Sequence, residues 1–301
     1  MGPQQDGGDA LTTRIAVLPG DGIGPEVTEA ALATLPSDVE LTRIPAGAER
    51  YLATGVVLRD EEVQEIAACD ALLLGAVGDP RVPDGVLERG ILLRLRKELD
   101  LYVNIRPFDE LGLVFVRENT EGPYSGVGSR EPDVALETSV NTRRAVERCI
   151  RFAFELAETR GGRVTLVHKT NVLLYAGSLW REVADEVAAD HPRVPLDYEH
   201  ADAAAYHLVV EPSRFDVIVT DNLFGDLLSD LAAGLGGGLG RAASANLHPN
   251  PATRPARCIG LFEPIHGSAP DIAGTGTADP SAAIAAAQMM LAALDKESVS
   301  R

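Results

Sequence analysis

Short apolar runs alternate along the chain with longer segments in which apolar residues recur at the spacing of one helical face. Apolar runs that end in polar residues or glycine are typical of strands in a largely buried sheet. The longer segments are typical of helices packed against such a sheet. The predicted strands are Arg14–Gly20, Asp70–Gly78, 101–107, 111–118, 163–169 and 215–221, and the predicted helices are Pro25–Leu35, Gly90–Asp100, 137–160, 176–190, 201–210, 223–233 and 280–294. This alternation predicts an α/β fold.

Local signals divide the pattern further. The stretch GLGGGLGR (Gly234–Arg241) interrupts it and is a candidate crossing point between domains. The last helix follows Asp279, a favourable N-cap residue, and Pro280, which suits a first helical position. The first dozen residues are expected to be disordered.

The charge balance narrows the possible partners. The chain has 301 residues and a formal net charge of −18, which argues against a nucleic-acid partner. An anionic substrate would therefore need a local basic pocket.

The three cysteines, Cys69, Cys149 and Cys258, are too widely spaced for a disulfide framework or a metal cluster and indicate a reduced, cytoplasmic protein. No apolar run approaches the ~20 residues that a membrane span needs, and the start of the chain lacks a signal-peptide pattern.

The segment TDNLFGDLLSD (Thr220–Asp230) places Asp226 and Asp230 four residues apart in a predicted helix. Both side chains then lie on one face, where like charges repel. Two carboxylates with a third from elsewhere form a hard-oxygen site for Mg²⁺ or Mn²⁺, which would remove the repulsion. The alternative is an exposed acidic face, which the apolar residues of the same segment disfavour.

Three arginines are candidates for the basic pocket. Arg96 lies on the apolar face of its predicted helix, beside Leu92 and Leu93. On its own, this arginine is better explained as a snorkelling side chain. Arg106 and Arg117, however, end two predicted strands. If the three converge, they indicate a substrate with more than one carboxylate, because guanidinium groups bind carboxylates bidentately.

Other candidates carry less information when each is taken alone. Tyr124 lies in a predicted glycine-flanked loop, where tyrosines usually pack. Lys169 and Asn171 stand at the end of a predicted strand, where α/β proteins bind ligands, although a solvated strand end explains Lys169 as well. Asp202 begins an alanine-rich helix, where the helix dipole favours an acid and a ligand role is an equal alternative.

The loop GDGIGPE (Gly20–Glu26) is not a dinucleotide fingerprint. The G-x-G-x-x-G motif needs glycine at the position of Pro25. A tight loop before a helix is the better interpretation.

Six stretches, in order, resemble the isocitrate/isopropylmalate dehydrogenase family of metal-dependent β-hydroxyacid oxidative decarboxylases. They are LPGDGIGPEV, ERGILLRLRKELDLYVNIRP, VRENTEGPYSG, HKTNVL, RFDVIVTDNLFGDLLSDLA and LFEPIHGSAPDIAGTGTADPSAAI. The resemblance implies a two-domain isopropylmalate dehydrogenase-like α/β fold with a non-Rossmann NAD site. Residues 1–103 and 237–301 would form a discontinuous first domain and residues 104–236 a second domain for metal binding and dimerisation.

The resemblance implies catalytic roles as well. The three arginines would hold the substrate carboxylates, and Asp226 and Asp230 would bind the metal together with Asp202 of the partner subunit in a homodimer. Lys169, also from the partner subunit, would take the proton from the substrate hydroxyl. Tyr124 would reprotonate the enolate after CO₂ leaves.

The implied NAD site lies after the last predicted strand. Asp271 would accept hydrogen bonds from the adenosine ribose and repel a 2′-phosphate, so that NAD is favoured over NADP. Asp279 stands where many relatives carry an asparagine near the adenine, and it is also the expected helix cap. The implied NAD-binding residues are Glu263, His266, Gly267, Ser268, Ala269, Asp271, Asp279 and Asn171.

The implied reaction is NAD-dependent oxidative decarboxylation of an alkylmalate, a dicarboxylic 2-hydroxy acid. Conversion of 3-isopropylmalate to 2-oxoisocaproate in leucine biosynthesis is favoured, because Leu92 and Leu93 suit an isopropyl group. Homoisocitrate, isocitrate, tartrate, a specialised-pathway analogue or a non-catalytic role are the alternatives. The sequence departs from the family pattern in the short connection PFDELGLVFV and in its early end after the last helix, and we expect both to affect stability or assembly.

Overall fold

The apolar runs of the sequence become the strands of one large sheet. The computed structural model describes residues 12–299, so the N-terminal segment predicted to be disordered lies almost entirely outside the described residues. The strands are β1 (Arg14–Gly20), β2 (Glu40–Arg43), β3 (Ala71–Ala76), β4 (Val103–Phe108), β5 (Leu113–Glu118), β6 (Gly122–Arg130), β7 (Ala135–Val140), β8 (Val164–His168), β9 (Leu196–His200), β10 (Val217–Thr220), β11 (Ala243–Leu247) and β12 (Gly260–Pro264).

Ten of these strands form the sheet, in the order β2-β1-β3-β12-β11-β4-β5-β10-β8-β9, and β6 pairs with β7 in a separate hairpin. The two ends of the sheet are parallel. In the centre, β11 runs antiparallel to both β12 and β4, and β4 runs antiparallel to β5. The parallel ends require crossover helices, which cover both faces of the sheet.

The helices lie mostly between successive parallel strands. They are α1 (Gly24–Leu32), α2 (Ala48–Thr54), α3 (Asp60–Ala68), α4 (Val86–Glu88), α5 (Arg94–Glu98), α6 (Arg143–Arg160), α7 (Leu174–Asp190), α8 (Ala201–Val210), α9 (Asn222–Leu235) and α10 (Ser281–Val299). Separate apolar clusters form on the two halves of the sheet. One surrounds Phe154 and Trp180, and another surrounds Leu72 and Leu95. None of the helices in the described part of the chain is both long and apolar enough to cross a membrane.

Two predicted helices are wrong in part. The helix predicted over 137–160 begins at Arg143, because Thr142 caps it by accepting a hydrogen bond from the Ala145 N–H, and the residues before it belong to β7. Tyr124 accordingly lies on β6 and not in a loop. The segment Gly90–Asp100 is not one regular helix, since a π-helical turn over Arg89–Leu93 separates α4 from α5.

The short connection between the two arginine-bearing strands forms a tight hairpin. A single 3₁₀ turn, Asp109–Leu111, joins β4 to β5. The hairpin keeps full register, with Asn104 opposite Arg117 and Arg106 opposite Phe115. The shortened segment therefore still brings both arginines to the same region of the sheet.

Candidate active site

A cavity of about 330 Å³ lies beside the carboxyl ends of β3 and β12 and is closed on its other sides by α5, α9 and the β4–β5 hairpin. Eleven of the predicted site residues line it, namely Leu92, Leu93, Arg96, Arg106, Arg117, Tyr124, Asp226, Asp230, Glu263, His266 and Gly267. The predicted convergence of the three arginines is therefore found in the structure. Their residues are only 3%, 6% and 1% exposed in chain order.

Arg117 is held rigidly from α9. Its Nε and Nη2 donate to Asn222 Oδ1 at 2.9 and 2.7 Å, and its Nη1 donates to Asp226 Oδ1 at 2.5 Å. The side chain passes directly over Gly225, where an added Cβ would lie 2.6 Å from Arg117 Cγ. Glycine at this position thus permits the helix to approach the arginine.

Arg106 connects both aspartates of α9. Its Nη2 donates to Asp226 Oδ1 at 3.2 Å, and its Nη1 donates to Asp230 Oδ1 at 3.0 Å and to Ser229 Oγ at 2.9 Å. Its Nε donates to Asn104 Oδ1 at 2.9 Å. Arg106 therefore offsets the repulsion between the two carboxylates.

Arg96 has spare hydrogen-bonding capacity. Its Nη2 lies 3.3 Å from Glu263 Oε1, whereas its buried Nε has no hydrogen-bond partner among the described residues. Burial lowers the pKa of Arg96 and lowers that of Arg117 to about 10. Arg117 therefore remains charged at neutral pH, so the cavity presents buried positive charge to an anionic substrate.

The pKa values of Asp226 and Asp230 are shifted in opposite directions. Burial opposes the charge of Asp226, but Arg117 and Arg106 outweigh it and hold the pKa of this carboxyl below its usual value. Burial raises the pKa of Asp230, which is the more exposed of the two and has Arg106 as its arginine partner. The pair presents hard oxygen donors that suit Mg²⁺ or Mn²⁺. Within the described residues, no group of three or more acidic, histidine or cysteine side chains is placed to hold a metal.

Tyr124 reaches the cavity from β6. Its hydroxyl donates to Asp226 Oδ2 at 2.7 Å, and its ring lies 5.4 Å from the Arg117 guanidinium carbon. Burial, with the neighbouring carboxylate, raises the pKa of Tyr124 to about 12. The phenol is therefore protonated at neutral pH and can donate a proton into the cavity.

Lys169 and Asp202 do not line the cavity. Lys169 follows β8 and Asp202 is in the first turn of α8, and Lys169 Nζ lies 2.5 Å from Asp202 Oδ1. Asn171 is exposed in the same turn after β8. Within one chain, these three predicted residues form a second group, separate from the arginines.

The predicted NAD residues lie mainly in the segment between β12 and α10. The Ser268 carbonyl accepts a hydrogen bond from the Ile23 N–H at 2.8 Å, and a Cβ at Gly22 would lie 2.0 Å from that carbonyl oxygen. The GDGIGPE loop thus packs against this segment and holds it by a backbone hydrogen bond. His266 Nε2 is buried with no partner among the described residues, and Asp271 is exposed. A ring nitrogen without a partner and an exposed acid in one segment fit the recognition of a polar cofactor.

Asp279 has the capping role expected from the sequence. Its Oδ1 accepts from the backbone N–H of Ser281 at 2.9 Å and from the Ser281 hydroxyl at 2.6 Å. The hydrogen bonds from Ser281 lower the pKa of Asp279. α10 starts at Ser281, one residue later than predicted.

Sequence reasoning missed Glu88 as a cavity residue. Glu88 lines the cavity from the end of α4. It stands four residues before Leu92, so the spacing on one helical face could have identified it. Asn222 and Ser229 were also missed, because their role depends on contacts with arginines far away in the sequence.

The fold and the cavity define an α/β enzyme class in which a large mixed sheet carries an arginine-rich anion pocket beside a carboxylate pair. The chain belongs to the isocitrate/isopropylmalate dehydrogenase family, whose family model matches residues 14–300. This confirms the predicted family and fold class.

Individual relatives carry two kinds of name. The chain is 51% identical to the 3-isopropylmalate dehydrogenase of Nocardia farcinica, with 96% of this chain and 91% of that protein covered. It is 52% identical to the 3-isopropylmalate dehydrogenase of Corynebacterium efficiens, with coverage of 94% and 88%. Among solved structures, an isocitrate dehydrogenase from Methylococcus capsulatus superposes with a TM-score of 0.85 at 40% identity, covering 94% of this chain and 86% of that chain.

Proposed function

We propose that the protein is an NAD-dependent dehydrogenase that oxidatively decarboxylates 3-isopropylmalate to 2-oxoisocaproate in leucine biosynthesis. The observation that carries this proposal is the cavity itself, in which three buried arginines lie with two carboxylates and an apolar wall. Relatives more than 50% identical over most of the chain are named for this activity.

The apolar wall favours 3-isopropylmalate over isocitrate, the substrate named for one similar structure. Leu92 and Leu93 line the cavity beside Arg96, and Glu88 lies on the same wall. Burial of an isopropyl group against the leucines stabilises the bound substrate. A third carboxylate would be desolvated there and repelled by Glu88.

The chain's own residues bind the substrate and transfer protons. Arg96, with its unpaired Nε, and the other two arginines would bind the two carboxylates. Lys169 of the partner subunit would accept the proton of the substrate hydroxyl. Tyr124 would donate a proton to the carbon atom of the enolate that remains after CO₂ leaves. Asp226 and Asp230 would hold a divalent metal, which would supply Lewis-acid polarisation of the substrate oxygens, and NAD would supply the hydride acceptor.

We further propose a homodimer with shared active sites. Lys169 and Asp202 lie outside the cavity of their own chain. Around them, the surface is unusually apolar, with Tyr175 92% exposed and Leu174 65% exposed. Contiguous exposed apolar surface of this kind is typical of an interface. Exposed apolar residues of α8 and of the β6–β7 hairpin support the same interface, namely Tyr206, Val209, Val210, Val127, Val134 and Leu136.

The proposal includes the division into residues 1–103 with 237–301 and residues 104–236. Distinct apolar clusters on the two halves of the sheet support it. A cytoplasmic location is also proposed and is supported by the three cysteines, which are free and buried.

The test is NADH formation by the purified protein with 3-isopropylmalate and Mn²⁺. Isocitrate in its place should give a much lower kcat/KM, NADP should replace NAD poorly because of Asp271, and EDTA should abolish the signal. Asp226→Asn should be folded but inactive, whereas Glu29→Gln, which alters an exposed acid paired with Arg43, should remain active. Absence of NADH with every alkylmalate tested, or full activity in EDTA, would overturn the proposal.

A further inference from the structure

His168 and Asp221 face each other in the protein interior at the ends of β8 and β10. His168 is 0% exposed and Asp221 is 5% exposed. His168 Nε2 lies 3.6 Å from Asp221 Oδ2, just beyond hydrogen-bonding distance. Neither ring nitrogen of His168 has a hydrogen-bond partner within residues 12–299. A buried imidazole without a partner costs free energy and requires an explanation.

Both side chains are held in place by other contacts. The His168 ring stacks on Trp180 with centroids 5.8 Å apart and receives the edge of Phe224 at 5.7 Å. Asp221 caps α9, with its Oδ1 accepting from the Phe224 N–H at 2.8 Å. Its second oxygen, Oδ2, is the one nearest to His168. A shift of well under one ångström would therefore form a hydrogen bond.

Strand register places this pair between the two groups of site residues. Thr220 of β10 pairs with Arg117 on one side and with Val167 on the other. The next residues, Asp221 and His168, therefore stand side by side. Asp221 leads directly into α9, which carries Asp226 and Asp230, and His168 leads directly into Lys169.

The ionisation of the pair is consistent with a neutral imidazole donor. Burial lowers the pKa of His168 to about 4 and raises that of Asp221 to about 6. At neutral pH the imidazole has one N–H to donate and the carboxylate can accept it. The groups that face the pair are the aromatic rings of Trp180 and Phe224, with Arg117 and Glu118 acting on Asp221 from a greater distance.

We propose that His168 and Asp221 are positioning residues, which close into a Nε2–H···Oδ2 hydrogen bond when substrate and metal bind. The hydrogen bond fixes the start of α9 against the strand end that carries Lys169. It thereby sets the distance between the metal-binding aspartates and the lysine within one chain. This inference rests on the proposed function, in which Lys169 serves the partner's cavity, so the pair also links the two active sites of the dimer.

The test uses substitutions that separate hydrogen bonding from packing and capping. His168→Phe keeps an aromatic ring between Trp180 and Phe224 but has no nitrogen. Asp221→Ser keeps a helix cap but is too short to reach His168. Asp221→Asn is the matched control, because its oxygen can cap α9 while its amide nitrogen donates to unprotonated His168 Nε2.

His168→Phe and Asp221→Ser should each lower kcat about tenfold, the effect of one such hydrogen bond, and should raise the KM for Mg²⁺. The double variant should be no worse than either single one, because the two residues act through one bond. Asp221→Asn should retain most of the activity. Unchanged kcat in the single variants, or additive losses in the double variant, would overturn the proposal.

A second measurement does not depend on turnover. Nitrogen-15 NMR of the His168 ring, assigned with His168→Phe, should show Nε2 becoming a hydrogen-bonded donor when Mg²⁺ and 3-isopropylmalate are added without NAD. An unchanged spectrum under saturating ligand would refute the closure even if a variant failed to fold. Failure of the proposed function can be distinguished from failure of this positioning role, because in the first case the wild-type protein itself would form no NADH.

Discussion

At the scale of single residues, the cavity concentrates positive charge in a protein whose overall charge is negative. The chain carries a formal net charge of −18, yet three arginines are buried around one small space. Asp226 neutralises part of this charge by accepting from two of them. Because buried guanidinium groups cannot be solvated by water, their remaining donors favour an anionic ligand strongly.

Arg96 provides the clearest test of carboxylate binding, because its Nε is unpaired. Arg96→Leu should lower kcat/KM for 3-isopropylmalate by about 10²-fold, the loss of one charge-assisted interaction of 2–3 kcal/mol. Thermal stability should change little, since removal of a buried charge offsets lost packing. Steady-state kinetics and a melting curve measure both. Arg94→Leu, on the outward side of the same helix and paired with Glu98, should leave the kinetics intact.

Tyr124 tests proton donation. Its pKa of about 12 keeps it protonated, and Tyr124→Phe removes the proton but keeps the ring beside Arg117. We expect kcat to fall by ~10²–10³-fold, as for loss of a general acid, with the KM for metal nearly unchanged. If kcat is retained and only the metal KM rises, Tyr124 merely orients Asp226.

At the scale of elements, short segments are held by specific ion pairs. Glu62, in the first turn of α3, is an example: its Oε2 accepts from the Arg59 backbone N–H at 2.9 Å and from Arg50 Nη1 at 2.5 Å. Its Oε1 accepts from Arg59 Nη2 at 2.9 Å. Burial opposes the charge of Glu62, but the hydrogen bonds from Arg50 and Arg59 outweigh it and lower its pKa from 4.5 to about 2.

This lowered pKa predicts a pH-dependent contribution to stability. The folded state binds the proton of Glu62 more weakly than the unfolded state, so the stabilisation is complete above pH 4.5 and is lost as the pH falls towards 2. Glu62→Gln should lower the free energy of unfolding by about 1–3 kcal/mol at neutral pH. Urea titrations at several pH values should show the difference shrinking on acidification. The exposed neighbour Glu61, changed to Gln, should show no comparable effect.

At the scale of the whole molecule, the proposed site requires two chains. The arginines and Asp226 lie in the cavity, whereas Lys169 and Asp202 pair with each other outside it. A two-fold dimer would then contain two composite sites, because each subunit receives what it gives.

Subunit mixing tests this arrangement. Lys169→Ala and Asp226→Ala should each be inactive as homodimers. After exchange, the mixed dimer has one site with intact Asp226 and an intact Lys169 from the partner subunit. With random exchange about half the dimers are mixed and each has one good site, so activity should return to roughly a quarter of wild type. Native mass spectrometry confirms that mixed dimers form. Mixed dimers without activity would show that Lys169 and Asp226 act within one chain.

Several features followed from the sequence because they depend on local rules. Periodicity identified the main strands and helices, four-residue spacing placed Asp226 and Asp230 on one face, and the apolar face of its helix placed Arg96 inside. The cap at Asp279 was equally local. Strands β2, β9, β11 and β12, helices α2 and α3 and the β6–β7 hairpin were not predicted. The polar segments among them acquire their structure from tertiary neighbours. Strands β11 and β12 are buried in the centre of the sheet, but each has only five residues, too few for periodicity to identify a strand.

Only the tertiary structure decided which distant residues meet. It placed Arg106 between Asp226 and Asp230, set Asn222 against Arg117, and left His168 facing Asp221 without a hydrogen bond. These contacts depend on sheet order and strand register, which no local pattern encodes. The π-helical turn over Arg89–Leu93 is of the same kind. Periodicity determined which face of an element each residue occupies, because the spacing of apolar residues is a local property of the sequence. Long-range packing determined the partners of each residue, because these partners are distant in sequence and are brought together only by the fold.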